Sequence, residues 1–340
     1  RQRQMCIRDS HVVAGARIHR TVGEGTFGIE RQSWRVPQLL PRRWPAIAFG
    51  GPERPVGDVR QADRGVDRRA LEGAGLGHGR SVRQPSMARP TGARSLVGVL
   101  EPHEIERALV VTAHPDDVDF GAAGTVAELT DAGALVTYCL VTDGQAGGFD
   151  QTIPRTEMAQ IRREEQTKAA AEVGVTDLVF LGHTDGQVVF DLALRREISR
   201  VIRQVRPQVV MTQSPTINVT TVYGSHADHV ATGQGTWAAV YPDARNPFAF
   251  PELLDEGLEP WAADEIWIMF GSGQPGVDVH TVDITPQIER KMRALRCHES
   301  QHRDPDGLEA RVREWWAGLA VEAGLPPGSY AERFHVADAR

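Results

Sequence analysis

The 340-residue sequence predicts an α/β fold, a Rossmann-like and mostly parallel sheet with helices on both faces. Two observations lead to this fold class. Beyond about residue 105, short apolar runs alternate with longer segments of helical periodicity, the pattern of parallel strands and their crossover helices. The first and the fourth apolar runs are each followed by a cluster of His and Asp, as expected where parallel strands open into a crevice at their carboxyl ends.

The predicted elements alternate along the chain. A strand over 107–113 precedes a helix over 121–132, which Gly133 closes, and a strand over 135–141 precedes a helix over 156–173, which ends at Gly174. Four further strands are predicted over 178–181, 208–212, 265–270 and 277–284, and four further helices over 191–205, 229–240, 286–298 and 309–323.

The first 86 residues differ from the rest in composition. They contain sixteen arginines, eight acidic residues and no lysine, giving a net charge of +8, and they lack a sustained hydrophobic period. We therefore expect residues 1–86 to be a disordered or artefactual extension, with Met87 as a sensible start and 87–340 as a single domain. A basic arm that binds a partner is the alternative.

Charge and cysteine content narrow the class of protein. Residues 87–340 carry a net charge of −15, which argues against nucleic acid or an anionic membrane as a partner. The sequence contains no apolar run of the roughly 20 residues that a membrane span needs. Its cysteines stand alone, at positions 6, 139 and 297, which favours a reducing, cytoplasmic compartment.

The two polar clusters carry the chemistry. His114-Pro-Asp116-Asp117 follows the first predicted strand, and His226-Ala-Asp228-His229 precedes a predicted helix. Histidine and aspartate suit a borderline cation such as zinc, and a second carboxylate is then free to move protons. A catalytic zinc site needs a third protein ligand, and spacing alone does not decide between the two histidines of the second cluster. The alternative for the Asp pair is capping of the following helix.

These motifs resemble the PIG-L/LmbE-like family of metal-dependent N-deacetylases, and the likeness extends over residues 105–336. The resemblance implies that His114, Asp117 and His229 hold Zn²⁺, or Fe²⁺ in the same ligand set. It implies that Asp116 is the general base on the attacking water.

The resemblance also assigns roles to the second cluster and to substrate contacts. His226 would stabilise the oxyanion or protonate the leaving amine, and Asp228 would orient His226. Arg162 and Asp185 match positions that hold sugar hydroxyls. The alternative for Arg162 is a solvated helix face paired with Glu165, and for Asp185 it is a turn residue.

The resemblance implies hydrolysis of the N-acyl amide of an amino sugar conjugate. The expected substrate carries an N-acetyl group, as in an N-acetylglucosaminyl-inositol compound. Two alternatives stay open: an amidase that cuts a larger, mycothiol-type thiol-sugar conjugate, and a non-catalytic metal-binding protein.

Overall fold

A computed structural model describes residues 98–219, 222, 225–270 and 279–340. The expectations for residues 1–86 and for a start at Met87 lie outside the described residues.

A seven-stranded sheet forms the centre of the fold, in the order β3-β2-β1-β4-β5-β7-β6. Strands β1 to β5 pair in parallel, whereas β7 pairs antiparallel with both of its neighbours. The mostly parallel α/β fold predicted from the sequence is confirmed. The strands are β1 (Arg107–Thr112), β2 (Leu135–Thr142), β3 (Asp177–His183), β4 (Val209–Thr212), β5 (Glu265–Met269), β6 (Val279–Asp283) and β7 (Ala331–Asp338).

Helices cover both faces of the sheet because alternate strand residues are apolar on both sides. In β1, Ala108 and Val110 pack in one core with α2, α3 and α7, while Leu109 and Val111 pack in a second core with α4 and α5. The helices are α1 (Asp117–Gly121), α2 (Ala123–Asp131), α3 (Arg155–Glu172), α4 (Leu192–Val205), α5 (Ala227–Ala238), α6 (Glu252–Asp255), α7 (Ile288–Arg296) and α8 (Pro305–Glu322).

The main differences from the sequence prediction concern α1 and α2, the unpredicted helix α6 and the strand β7. The helix predicted over 121–132 is interrupted at Ala122, where φ is −146° and ψ is 0°. A separate short helix, α1, precedes the interruption and begins at Asp117. Strand β7 was not predicted, because its sequence mixes charged and apolar residues without a clear period of two. Its neighbours in the sheet, rather than its own residues, determine its conformation.

The topology fixes where a site can form. From β1 the sheet continues to β2 and β3 on one side and to β4 and β5 on the other. The junction between β1 and β4 is therefore a topological switch point, where open α/β sheets bind ligands at the carboxyl ends of their strands. The two His/Asp clusters follow these two strands. Among the described helices, none is both long and apolar enough to span a membrane.

Candidate metal centre and catalytic site

The two clusters meet at the carboxyl ends of β1 and β4. The Nδ1 atom of His114 lies 3.2 Å from Nε2 of His229. The carboxylate of Asp117 lies 3.3 Å from Nδ1 of His114 and 3.1 Å from Nε2 of His229. Two imidazole nitrogens and one carboxylate group thus surround one point, which we call the cation point.

This donor set fits a zinc-type cation. Ligand atoms around a tetrahedral zinc at about 2.0–2.2 Å lie about 3.3–3.6 Å apart, close to the separations seen here. Burial acts to raise the pKa of Asp117, but His229 and His114 outweigh it and hold that pKa well below its usual range. The Asp117 carboxylate is therefore ionised and available as an anionic ligand.

Local backbone contacts hold Asp117 and His226 in place. The main-chain N–H of His114 donates to Oδ2 of Asp117 at 2.7 Å, which fixes the carboxylate beside the imidazole. At the other cluster, Nδ1 of His226 accepts from the N–H of Asp228 at 3.2 Å and caps α5. The capping places His229 in the first turn of this helix.

The Nε2 edge of the His114 ring, which points away from the cation point, contacts two carboxylates. Its Nε2 lies 3.2 Å from Oδ1 of Asp185 and 3.2 Å from Oδ2 of Asp228. Burial acts to lower the pKa of His114, but its bonds to Asp117, Asp185 and Asp228 outweigh this and raise it well above the usual value. The two carboxylates keep a proton on Nε2, so Nδ1, which faces the cation point, is the nitrogen that would lose its proton when a cation binds.

The Asp228 side chain, which was expected to orient His226, has other partners in this structure. Its carboxylate binds His114 and the N–H groups of Gly186 and Val188, at 2.6 and 3.2 Å, instead of orienting His226. Asp228 does hold His226, but through its main-chain N–H. Because Asp228 is in the first turn of α5, its side chain and its backbone point to different histidines.

Asp185, for which a sugar contact was expected, is turned toward the protein interior. This residue is buried, and its second oxygen accepts from the N–H of Ala146 at 2.8 Å. Burial acts to raise the pKa of Asp185, but the hydrogen bond with His114 outweighs it and lowers the pKa to about 2. Both oxygens are engaged inside the protein, so Asp185 supports His114.

Arg162 is likewise turned toward the protein interior. It is 4% exposed, and its guanidinium donates to the carbonyl oxygens of Gly144 and Pro115. It lies 3.2 Å from Oδ2 of Asp116. Neither a direct sugar contact nor a solvated helix face describes this environment, and Glu165 binds Ser300 instead.

Asp116 has an unusual backbone conformation. Its φ of 90° and ψ of −28° lie in the left-handed region, which non-glycine residues rarely adopt. Burial raises the pKa of the Asp116 carboxyl, and Arg162 partly opposes the rise. The carboxylate is directed to Arg162 rather than to the first turn of α1, so the capping alternative does not describe its side chain.

His226 lies beside the other two histidines as a neutral ring. Its ring lies 4.9 Å from the ring of His114 and 5.1 Å from that of His229. Burial lowers the pKa of His226, and the two neighbouring histidines lower it further. Because Nδ1 accepts from a backbone N–H, the proton of the neutral ring is on Nε2, where it can be donated.

The donor atoms permit other groupings. His114, His226 and His229 could hold an ion together, and so could His114, Asp185 and Asp228. We favour the set with Asp117 for two reasons. Nδ1 of His226 accepts from its cap, which leaves the ring proton on Nε2. The second group would use Nε2 of His114, which lies between two carboxylates and carries a proton.

Sequence reasoning missed two buried polar residues behind Asp116, Gln166 and Asp119. Gln166 on α3 accepts from the N–H of Asp116 at 2.8 Å and donates to Oδ2 of Asp119 at 3.0 Å. His298 meets the same oxygen of Asp119 at 2.8 Å. One signal was available: Gln166 lies four residues after Arg162, on the same helix face.

Comparison with known proteins identifies the family. The family described as PIG-L, GlcNAc-PI de-N-acetylase, matches residues 109–240. The diacetylchitobiose deacetylase of Thermococcus kodakarensis is 33% identical over 200 residues, which cover 58% of this chain and 71% of that protein. The chain belongs to the PIG-L family.

Two further PIG-L relatives are similar. The 1D-myo-inositol 2-acetamido-2-deoxy-alpha-D-glucopyranoside deacetylase of Thermobispora bispora is 29% identical, with 64% of this chain and 84% of that protein covered. The solved N,N'-diacetylchitobiose deacetylase of Pyrococcus horikoshii superimposes with a TM-score of 0.63 at 28% identity, covering 69% of this chain and 85% of that one. These relatives are N-deacetylases of N-acetylglucosamine derivatives, and the PIG-L match spans both His/Asp clusters.

Proposed function

We propose that this protein is a metal-dependent N-deacetylase that hydrolyses the N-acetyl amide of a small N-acetylglucosamine conjugate. The observation that carries the proposal is the meeting of His114, Asp117 and His229 at the switch point of the sheet, with Asp116 next to Asp117 in the chain. The family membership supports the same reaction class.

In this proposal His114, Asp117 and His229 hold the metal ion. When bound, the ion supplies a Lewis acid that polarises the amide carbonyl and acidifies water. Zinc is the metal that we propose, because two imidazoles and one carboxylate form a common catalytic zinc set. Fe²⁺ accepts the same ligands.

The remaining residues move protons and stabilise charge. Asp116 takes a proton from the attacking water, whose oxygen adds to the carbonyl carbon. Nε2–H of His226 donates to the oxyanion that develops there. The C–N bond then breaks, the nitrogen takes the proton from Asp116, and acetate and a free amine are released.

We propose supporting roles for the other predicted residues. Asp185 and Asp228 fix the tautomer of His114, and Arg162 holds Asp116. Because a second partner on a metal-bound histidine sets its orientation, loss of either aspartate should weaken metal affinity by roughly 10–100-fold.

A direct assay tests the proposed reaction. The full chain, stripped of metal and reloaded with Zn²⁺ or Fe²⁺, is incubated with N-acetylglucosaminyl-inositol and with N,N'-diacetylchitobiose, and released amine is measured. We expect amine release that disappears on chelation and returns with one equivalent of metal. Metal binding without release of amine from any N-acetylated amino sugar would instead indicate a non-catalytic metal-binding protein.

We also propose that the protein acts in the cytoplasm on a small molecule. Among the described cysteines, Cys139 and Cys297 are free thiols, which a reducing compartment maintains. Fractionation of cells expressing the full chain tests this proposal, and recovery with the membrane or secreted fraction contradicts it.

A further inference from the structure

Hydrogen bonds to its main chain hold Asp116 in a strained backbone conformation. Its left-handed backbone persists only where surrounding contacts determine it. The carbonyl of Asp116 accepts from the N–H groups of Asp119 and Phe120, which fixes the side of the peptide that faces α1. On its other side, the N–H of Asp116 has its partner in the side chain of Gln166, at 2.8 Å.

Gln166 is itself fixed in orientation. It is fully buried on α3, and its Nε2 donates to Oδ2 of Asp119 at 3.0 Å. Nε2 of His298 meets the same oxygen at 2.8 Å. Since Asp119 is an acceptor, the amide group of Gln166 must turn its nitrogen toward Asp119 and its oxygen toward Asp116.

We propose that Gln166 is a positioning residue for the general base. By accepting the N–H of Asp116, Gln166 holds the main chain that aims the Asp116 carboxylate at the attacking water, and the Asp119–His298 pair keeps the Gln166 amide in the required orientation. Arg162 fixes the carboxylate end of Asp116 from one turn earlier on α3. The inference rests on the function proposed above, because it concerns the base of that reaction.

Gln166→Met tests this role. The substitution keeps the length of the side chain but removes its acceptor. We expect kcat to fall about 10–100-fold, the effect of a misplacement on the order of 1 Å, with KM and bound metal nearly unchanged. The matched control is Gln160→Met on the exposed face of the same helix, which should keep the parent kcat.

A double-mutant cycle separates positioning from general damage. In an Asp116→Asn background there is no base left to aim, so Gln166→Met should change the residual kcat less than about 2-fold. An equal fall in both backgrounds would show a structural effect and overturn the proposal. If Gln166→Met does not fold, Gln166→Glu, which retains an acceptor oxygen, is used in the same cycle and should show a smaller fall, again only when Asp116 is present.

A readout independent of activity completes the test. Crystal structures of the full chain and of its folded Gln166 variant are compared at Asp116. We expect its φ to leave the left-handed region or its carboxylate to move away from Arg162. An unchanged Asp116 would overturn the inference whether or not the enzyme is active, whereas a parent protein that releases no amine would contradict only the proposed function.

Discussion

Asp116 and Asp117 are neighbours in sequence with opposite electrostatic surroundings. Burial raises the pKa of Asp116, while His229 and His114 hold the pKa of Asp117 low. A raised pKa suits a group that must take and return a proton, and a low pKa suits an anionic ligand. In the proposed reaction the same residue type would therefore have two roles, set by contacts that come from other elements.

This difference between the two carboxylates predicts different outcomes for Asp116→Asn and Asp117→Asn. Asp116→Asn should retain metal while kcat falls by roughly 10²–10⁴-fold, the usual contribution of a general base. Asp117→Asn should lose metal, because a neutral amide replaces an anionic ligand. Metal content and kcat measured on both variants decide the assignment. A metal-free Asp116→Asn beside an active, metal-loaded Asp117→Asn would reverse it.

His302 predicts a dependence of stability on pH. Burial, with help from His298 and Arg162, lowers its pKa to about 4. The folded state therefore binds this proton less tightly than the unfolded chain, whose His pKa is about 6.5. Its contribution to stability is fully present above about pH 6.5 and is lost as the pH falls toward 4.

We expect the free energy of unfolding to fall by roughly 1–3 kcal/mol from this group between pH 7 and pH 4. His302→Phe keeps a ring beside Phe120 but cannot be protonated, so its urea-unfolding free energy should vary less over that range. Parallel pH curves for the two proteins would rule out this explanation.

The sequence predicted the meeting of the two clusters but not the direction of every side chain. Clusters that follow β1 and β4 must meet, because these strands are neighbours at the switch point. The family resemblance implied that Asp228 orients His226, yet its carboxylate binds His114. That choice depends on the helical turn that begins α5, which spacing alone does not reveal.

At the scale of elements, the strand β7, which the sequence did not predict, supplies a hydrogen-bond acceptor to the start of helix α2. Glu332 on β7 accepts from the N–H groups of Gly124 and Thr125 at the start of α2, at 2.9 and 2.8 Å. Lys291 on α7 pairs with the same carboxylate, and both side chains are buried. An acceptor at a helix start satisfies donors that the helix cannot. No periodicity in the sequence signals a cap supplied by a strand 200 residues away.

Glu332 and Lys291 have different remaining partners, so replacing each of them should lower the free energy of unfolding by a different amount. Glu332→Leu leaves Lys291 with Phe120 O and the face of Trp316, and it leaves the start of α2 without its acceptor. We expect a loss of about 3–5 kcal/mol in unfolding free energy. Lys291→Met leaves a carboxylate that still has three donors, so a loss of about 1–2 kcal/mol is expected. Urea unfolding of both variants measures the difference, and the reverse order would refute it.

At the scale of the whole molecule, the partners of the candidate site belong to one continuous unit. The side chains that hold the cation point lie between His114 and His229, and the network behind Asp116 ends at His298. The first described residues that are fully buried in the core of this unit are Leu100 and Ile105. The N–H of Leu100 also donates to the buried carboxylate of Glu265.

These contacts predict where the chain can be shortened. A variant that starts at Met87 keeps Leu100 and Ile105, so we expect its kcat/KM and melting temperature to match those of the full chain. A variant that starts at Glu106 removes both buried side chains and the hydrogen bond to Glu265. Each fully buried aliphatic side chain contributes roughly 1.5–3 kcal/mol, so this shorter protein should unfold several degrees lower. If the Met87 variant instead loses activity while the Glu106 variant behaves no worse, the basic segment over 1–86 contributes to the enzyme and the proposed boundary is wrong.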